Sequence, residues 1–208
     1  MERYIVIEGN IGAGKTSLVT KLADDIGMNL VLEQYADNPF LPKFYANPAR
    51  FSFQLEVSFL ADRYRQLKAS VLQGNIDASV VIADYYFVKS LIFARVTLQS
   101  DDFELYKQLF DIIWQQLPKP SLYVYLNSPI ERVAQNIKER GREYEQNIEL
   151  EYLMKIQDSY FEYFSSEKDF PIVVVDTARI DFVNRYEDYE KMKQIINRND
   201  YQKGITYL

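Results

Sequence analysis

The chain has 208 residues, 48% hydrophobic and 26% charged, with no cysteine, no histidine and a formal net charge of −6. One soluble globular domain over 1–208 is expected, and the two missing residue types exclude disulfides, thiolate chemistry, zinc sites and imidazole catalysis, so proton transfer falls to carboxylates, lysine or tyrosine. The acidic balance argues against a nucleic-acid polymer or a membrane as partner, and the opening on a strand-like segment points to a cytoplasmic protein.

Near-continuous apolar runs predict strands at 4–8 (YIVIE), 29–33 (NLVLE), 79–84 (SVVIAD), 121–126 (SLYVYL) and 171–176 (PIVVVD), as expected of strands covered on both faces. Helical periodicity fills the intervals at about 16–26, 50–73, 86–116 and 129–167. The alternation predicts an α/β fold, a five-stranded parallel sheet with helices on both faces. Ligands of such sheets gather beyond the carboxyl ends of the strands. The residues there are Glu8–Gly9, Glu33, Asp84, Asn127 and Asp176.

After the first strand, GNIGAGKT fits G-x-x-x-x-G-K-[ST] in the context that motif needs, between a strand and an amphipathic helix. It predicts phosphate binding by Gly9, Asn10, Ile11, Gly12, Ala13, Gly14, Lys15, Thr16 and Ser17. Lys15 reaches the outer phosphates and the Thr16 hydroxyl can ligate Mg²⁺. The motif does not name the acceptor. No N-K-x-D follows the fourth strand, where YLNSP stands, which disfavours a GTPase. A nucleoside monophosphate arrives ionised and wants arginines, whereas a nucleoside 5′-hydroxyl is neutral with a high pKa. Glu33, facing the cradle, suits the hydroxyl as its base. The alternatives are a nucleoside monophosphate kinase and a nucleotide-binding regulator with little turnover.

In order and spacing, the cradle, LEQYADNPF, FYANPARFSFQLEVSFLADR, ADYYFVKSLIFA, KERGREYEQNI and YLMKIQDSYFEYF resemble the deoxynucleoside kinases. These P-loop enzymes phosphorylate deoxyribonucleosides at the 5′-position. The resemblance implies ATP as donor, Glu33 as general base, Tyr45 and Glu145 on the sugar 3′-hydroxyl, and Gln54 reading the base beside Phe53. It implies a lid at about 139–147 carrying Arg140 and Arg142, Asp84 at Mg²⁺, and a homodimer. Two positions depart from the family pattern. Asn136 stands where an arginine is frequent, and Tyr85 follows Asp84 where many relatives carry arginine. Tyrosine cannot supply that charge, so Arg63 or Lys89 substitutes, or activity is impaired. Ala61 and Ser90, small and neutral where some relatives carry Arg and Asp near the base, leave room for a purine.

Overall fold

Side chains along the first strand, β1 (Arg3–Gly9), alternate between two apolar layers: Tyr4 and Val6 enter one cluster, Ile5 and Ile7 the other. The same alternation repeats in β3 (Val80–Ala83), β4 (Leu122–Asn127) and β5 (Pro171–Asp176). Helices α3 (Pro48–Leu67), α4 (Lys89–Thr97), α5 (Ser100–Trp114) and α7 (Leu150–Ser166) cover the first layer, and α1 (Lys15–Ile26) and α8 (Tyr186–Asn197) cover the second. Full burial of one such Ile, Leu or Val is worth roughly 1.5–3 kcal/mol. The sheet is therefore a stiff base from which strand-end side chains project. The computed structural model describes residues 3–34, 38–69 and 80–208. Residues 35–37 of LEQYADNPF, the end of the helix expected to reach 73, and Ser79 lie outside the described residues.

The sheet is parallel in the order β2-β3-β1-β4-β5-β6, with β2 at Asn29–Val31 and β6 at Gly204–Tyr207. Among the described residues the sheet has six strands where five were expected. The sixth, GITY, is four residues long, pairs from Pro171↔Gly204 to Val174↔Tyr207, and lies half exposed at the edge. Four residues are too few for an apolar run, and pairing with β5 sets the strand, with Ile205 packed against the first layer. The 86–116 helical pattern breaks at Leu98, whose extended backbone (φ −95, ψ 150) separates α4 from α5. The 129–167 pattern breaks at Gly141 (φ 73), which ends α6 (Ile130–Arg140) in the left-handed conformation. A 3₁₀ turn at Glu143–Glu145 then leads to α7. Helix α2 spans Leu41–Ala46.

β1 lies between β3 and β4, and β2 pairs with β3. Asp84 N–H donates to Val31 O at 3.1 Å, extending that pairing past both strand ends. Glu33, Asp84 and the cradle therefore meet above one corner of the sheet.

Candidate active site

The cradle turns on two glycines. Gly12 (φ 81) and Gly14 (φ 87) occupy the left-handed region, and a Cβ at Gly12 would lie 2.8 Å from Val133 O and 2.9 Å from Ile137 Cγ1. Asn10 is buried and donates to Leu153 O at 2.8 Å, fastening the loop to α7. Asn136, the position without the expected arginine, donates to Gly12 O at 2.8 Å and braces the loop from α6. Lys15 Nζ donates to Gly9 O and Asn10 O, both at 2.9 Å. Burial, and then Lys89 nearby, lower Lys15 to about 8 against the pull of Glu8. Helix α1 begins at Lys15, so its N-terminal N–H groups and partial positive charge face the same space.

Two clefts share this loop. The first runs from Gly12, Ala13, Gly14, Lys15, Thr16 and Ser17 to Arg132, Thr177 and Phe182. Sequence reasoning missed the last three. Arg132 holds Thr177 O at 2.7 Å, and the segment after β5 closes the cleft. Asp176 at that strand end was the available signal, but its carboxylate is exposed and caps a turn through Ala178 N–H (2.9 Å).

The second cleft brings together Ile11, Lys15, Thr16, Glu33, Tyr45, Asp84, Arg140, Arg142 and Glu145. Glu33 lies between two cations: Arg63 donates to Oε1 through Nε (2.8 Å) and Nη2 (2.7 Å), and Lys89 to Oε2 (2.5 Å). Burial alone would raise this carboxyl, yet Lys89 and Arg63 outweigh burial and hold it at about 2. Both substitutes considered for the missing arginine are thus in the cavity. Tyr85 is not, since its ring is fully buried in the core and its hydroxyl donates to Gln66 Oε1 at 2.9 Å. Asp84 ties the corner together, accepting from Thr16 Oγ1 (2.5 Å) and from Glu33 N–H (2.7 Å). Glu8 lies beneath, accepting from Tyr86 N–H and Tyr160 OH at 3.0 Å each; burial raises its pKa despite Lys89 and Lys15.

On the opposite wall Glu145, itself buried, pairs with Arg140 and with Arg142 (3.3 Å). Tyr45 stacks on Tyr144 with ring centroids 5.8 Å apart. Phe53 and Gln54 do not line the cavity: Phe53 packs against the main core cluster and Gln54 is exposed. The residues α3 buries are Ser52, Leu55, Glu56, Phe59, Leu60, Arg63 and Leu67, a helical stripe, and Leu55, Glu56, Phe59 and Arg63 of it reach the cavity. Of the two charged residues inside this apolar 3.6-residue stripe, Arg63 was anticipated as a cation, and Glu56 was the signal that sequence reasoning passed over.

The profile of the family described as "Deoxynucleoside kinase" matches residues 5–199. The chain is 36% identical over 193 residues to a deoxyguanosine kinase of Bacillus subtilis, covering 91% of this chain and 93% of that one. It is 29% identical over 196 residues to a deoxyadenosine kinase of Dictyostelium discoideum, covering 93% and 77%. It resembles a solved deoxyadenosine kinase from M. mycoides with dCMP and dCDP bound, with a TM-score of 0.80 at 25% identity over 93% of this chain and 98% of that one. Cradle, parallel sheet and matched length agree: this chain belongs to the deoxynucleoside kinase family.

Proposed function

We propose that the chain transfers the γ-phosphoryl group of ATP to the 5′-hydroxyl of a purine 2′-deoxynucleoside in cytoplasmic nucleotide salvage. The observation that carries this reading is Glu33, an anion fixed by Arg63 and Lys89 in a cavity that opens onto Lys15. The purine choice draws on relatives named deoxyguanosine and deoxyadenosine kinases and on Ser90, small and buried beside Arg63 (2.8 Å).

In the reaction the 5′-oxygen bonds to the γ-phosphorus, the bond to the β,γ-bridging oxygen breaks, and the hydroxyl proton passes to Glu33. Such transfer depends on positioning and charge more than on base strength, which suits a carboxylate of low pKa. Lys15 and the α1 N-terminus hold the phosphates of ATP. Arg140 and Arg142 neutralise the transferring group, and Tyr45 and Glu145 hold the sugar 3′-hydroxyl. Thr16 and Asp84 offer two adjacent oxygens, a fit to Mg²⁺, which takes one or two protein oxygens and fills its shell with phosphates and water. Bound there, Mg²⁺ would offset phosphate charge.

A homodimer is part of the reading. Leu105, Leu109 and Ile112 recur at helical spacing on α5 and are 50%, 38% and 66% exposed, an apolar stripe suited to a second copy. Among the described residues no helix is long and apolar enough to cross a membrane. The test incubates pure protein with ATP, Mg²⁺ and each of the four deoxynucleosides, and separates products by ion-exchange chromatography. dGMP or dAMP with equimolar ADP is expected; no deoxynucleoside monophosphate from any of them would overturn the reading.

A further inference from the structure

Two ionisable side chains lie in the buried stripe of α3 that reaches the acceptor cavity. Arg63 is satisfied by Glu33 and Ser90. Glu56 is only half satisfied. Its Oε1 accepts from Thr97 Oγ1 at 2.8 Å, while its buried Oε2 has no hydrogen-bond partner among the described residues. A bare buried carboxylate oxygen is costly, so a ligand bringing a donor to it is favoured. The walls that α2 and α3 supply are otherwise largely apolar: Leu41, Phe44, Leu55 and Phe59 form one cluster and line the same cavity. An apolar slot holding one carboxylate suits a flat, weakly polar group with a donor-bearing edge.

We propose that Glu56 reads the acceptor's base and, as a carboxylate, selects guanine by accepting from its adjacent N1–H and N2–H groups. This rests on the deoxynucleoside kinase reading above. A carboxylate has acceptors only. Guanine presents two neighbouring donors on its pairing edge. Adenine presents a donor (N6–H) beside an acceptor (N1), and cytosine likewise pairs N4–H with N3. Only a protonated Glu56, with one O–H and one C=O, matches those two. The choice of base is therefore set by one proton.

The surroundings put that proton in the physiological range. Burial pushes Glu56 up to about 7, with Arg63 and the Thr97 hydrogen bond opposing. The charged and titratable groups around it are Arg63 from α3, Glu33 beyond β2, Lys89 from α4, Tyr106 from α5, Tyr45 from α2 and Tyr152 from α7. Glu33 is held at about 2 and burial pushes all three tyrosines up, so none of those four changes charge near neutrality. Lys15, at about 8, acts on the donor phosphates and affects every acceptor alike. The ratio of kcat/KM for deoxyguanosine to that for deoxyadenosine cancels it.

That ratio is measured from about pH 6 to about pH 8.5 on the wild type and on Glu56→Gln, with melting curves to verify folding. In the wild type it should climb by about tenfold or more across the window as the carboxylate forms. Glutamine offers one donor and one acceptor at every pH. Glu56→Gln should lower kcat/KM for deoxyguanosine by about 10- to 100-fold, the worth of a bidentate base contact, keep or raise that for deoxyadenosine, and flatten the ratio with pH. A merely structural Glu56 would lower both substrates together, and that result, or a ratio unmoved by pH and substitution, overturns the inference while leaving the kinase reading intact. Failure of the wild type to phosphorylate any deoxynucleoside overturns both. If Glu56→Gln does not fold, the wild-type pH dependence of the ratio decides alone.

Discussion

Replacing Glu33 with glutamine tests the acceptor site most severely, because it removes the proposed base and the counter-ion of Arg63 and Lys89 in one step. Arg63 and Lys89 are 3% and 7% exposed at the side chain, and both lean on this one carboxylate. Removing one partner of a buried pair costs about 3–5 kcal/mol. At roughly 2–4 °C per kcal/mol for a chain of this size, Glu33→Gln should lower the melting temperature by roughly 6–20 °C. Loss of a general base lowers turnover by about 10²–10⁴-fold. A melting curve and a coupled ADP-release assay below the transition separate the two effects. The double variant Glu33→Gln/Lys89→Gln sharpens the distinction, since it removes one stranded cation together with the anion. It should regain much of the lost stability and none of the lost turnover. Wild-type turnover in Glu33→Gln, or recovery of turnover with stability in the double variant, would refute the reasoning and reduce Glu33 to a neutralising charge.

Lys15→Ala should abolish measurable phosphoryl transfer in an ADP-release assay while melting within about 4 °C of wild type by differential scanning fluorimetry, the shift of roughly 1 kcal/mol, because the two hydrogen bonds it gives up end on backbone carbonyls of its own loop, Gly9 O and Asn10 O. Tyr85→Phe should cost about 1 kcal/mol for the lost hydrogen bond to Gln66 and leave kcat unchanged, as checked by denaturant titration and steady-state rates. If the proposed homodimer forms through α5, Ile112→Lys should give a monomer in light scattering at unchanged helix content, since the side chain is 66% exposed and belongs to no core cluster among the described residues.

Much of the fold was legible because its strands are buried on both faces. The five predicted strands are all present, since a run such as PIVVVD has no polar face to confuse its period. Helix boundaries were less legible. Apolar periodicity runs on through Leu98, and only the extended backbone there shows that the chain turns. β6 was invisible for a different reason. A four-residue edge strand gains its stability from hydrogen bonds to a partner about thirty residues away in sequence, and local composition does not record them.

The site divides along the same physical line. Strand ends are fixed by register, so the carboxylates placed there by sequence could be followed: Glu33 and Asp84 reach the cavity. Asn127 and Asp176 stand over β4 and β5 instead, where Asn127 accepts from Gln157 at 2.7 Å and Asp176 caps its own turn. Tyr85 stands where many relatives carry arginine, and the two cations weighed as its substitutes, Arg63 from α3 and Lys89 from α4, both come to the cavity through space, paired with Glu33. Helix faces are less forgiving than strand ends. Residues 54 and 56 differ by about 200° around a helix axis, so a two-residue offset in a motif moves a side chain from the cavity to solvent. FSFQ placed the base-reading amide at Gln54, on the wet face, while the stripe Leu55, Glu56, Phe59, Arg63 is the one that reaches the cavity. Where a motif and a buried stripe disagree on a helix, the stripe decides, because apolar burial orients the whole element and a single polar side chain cannot turn it.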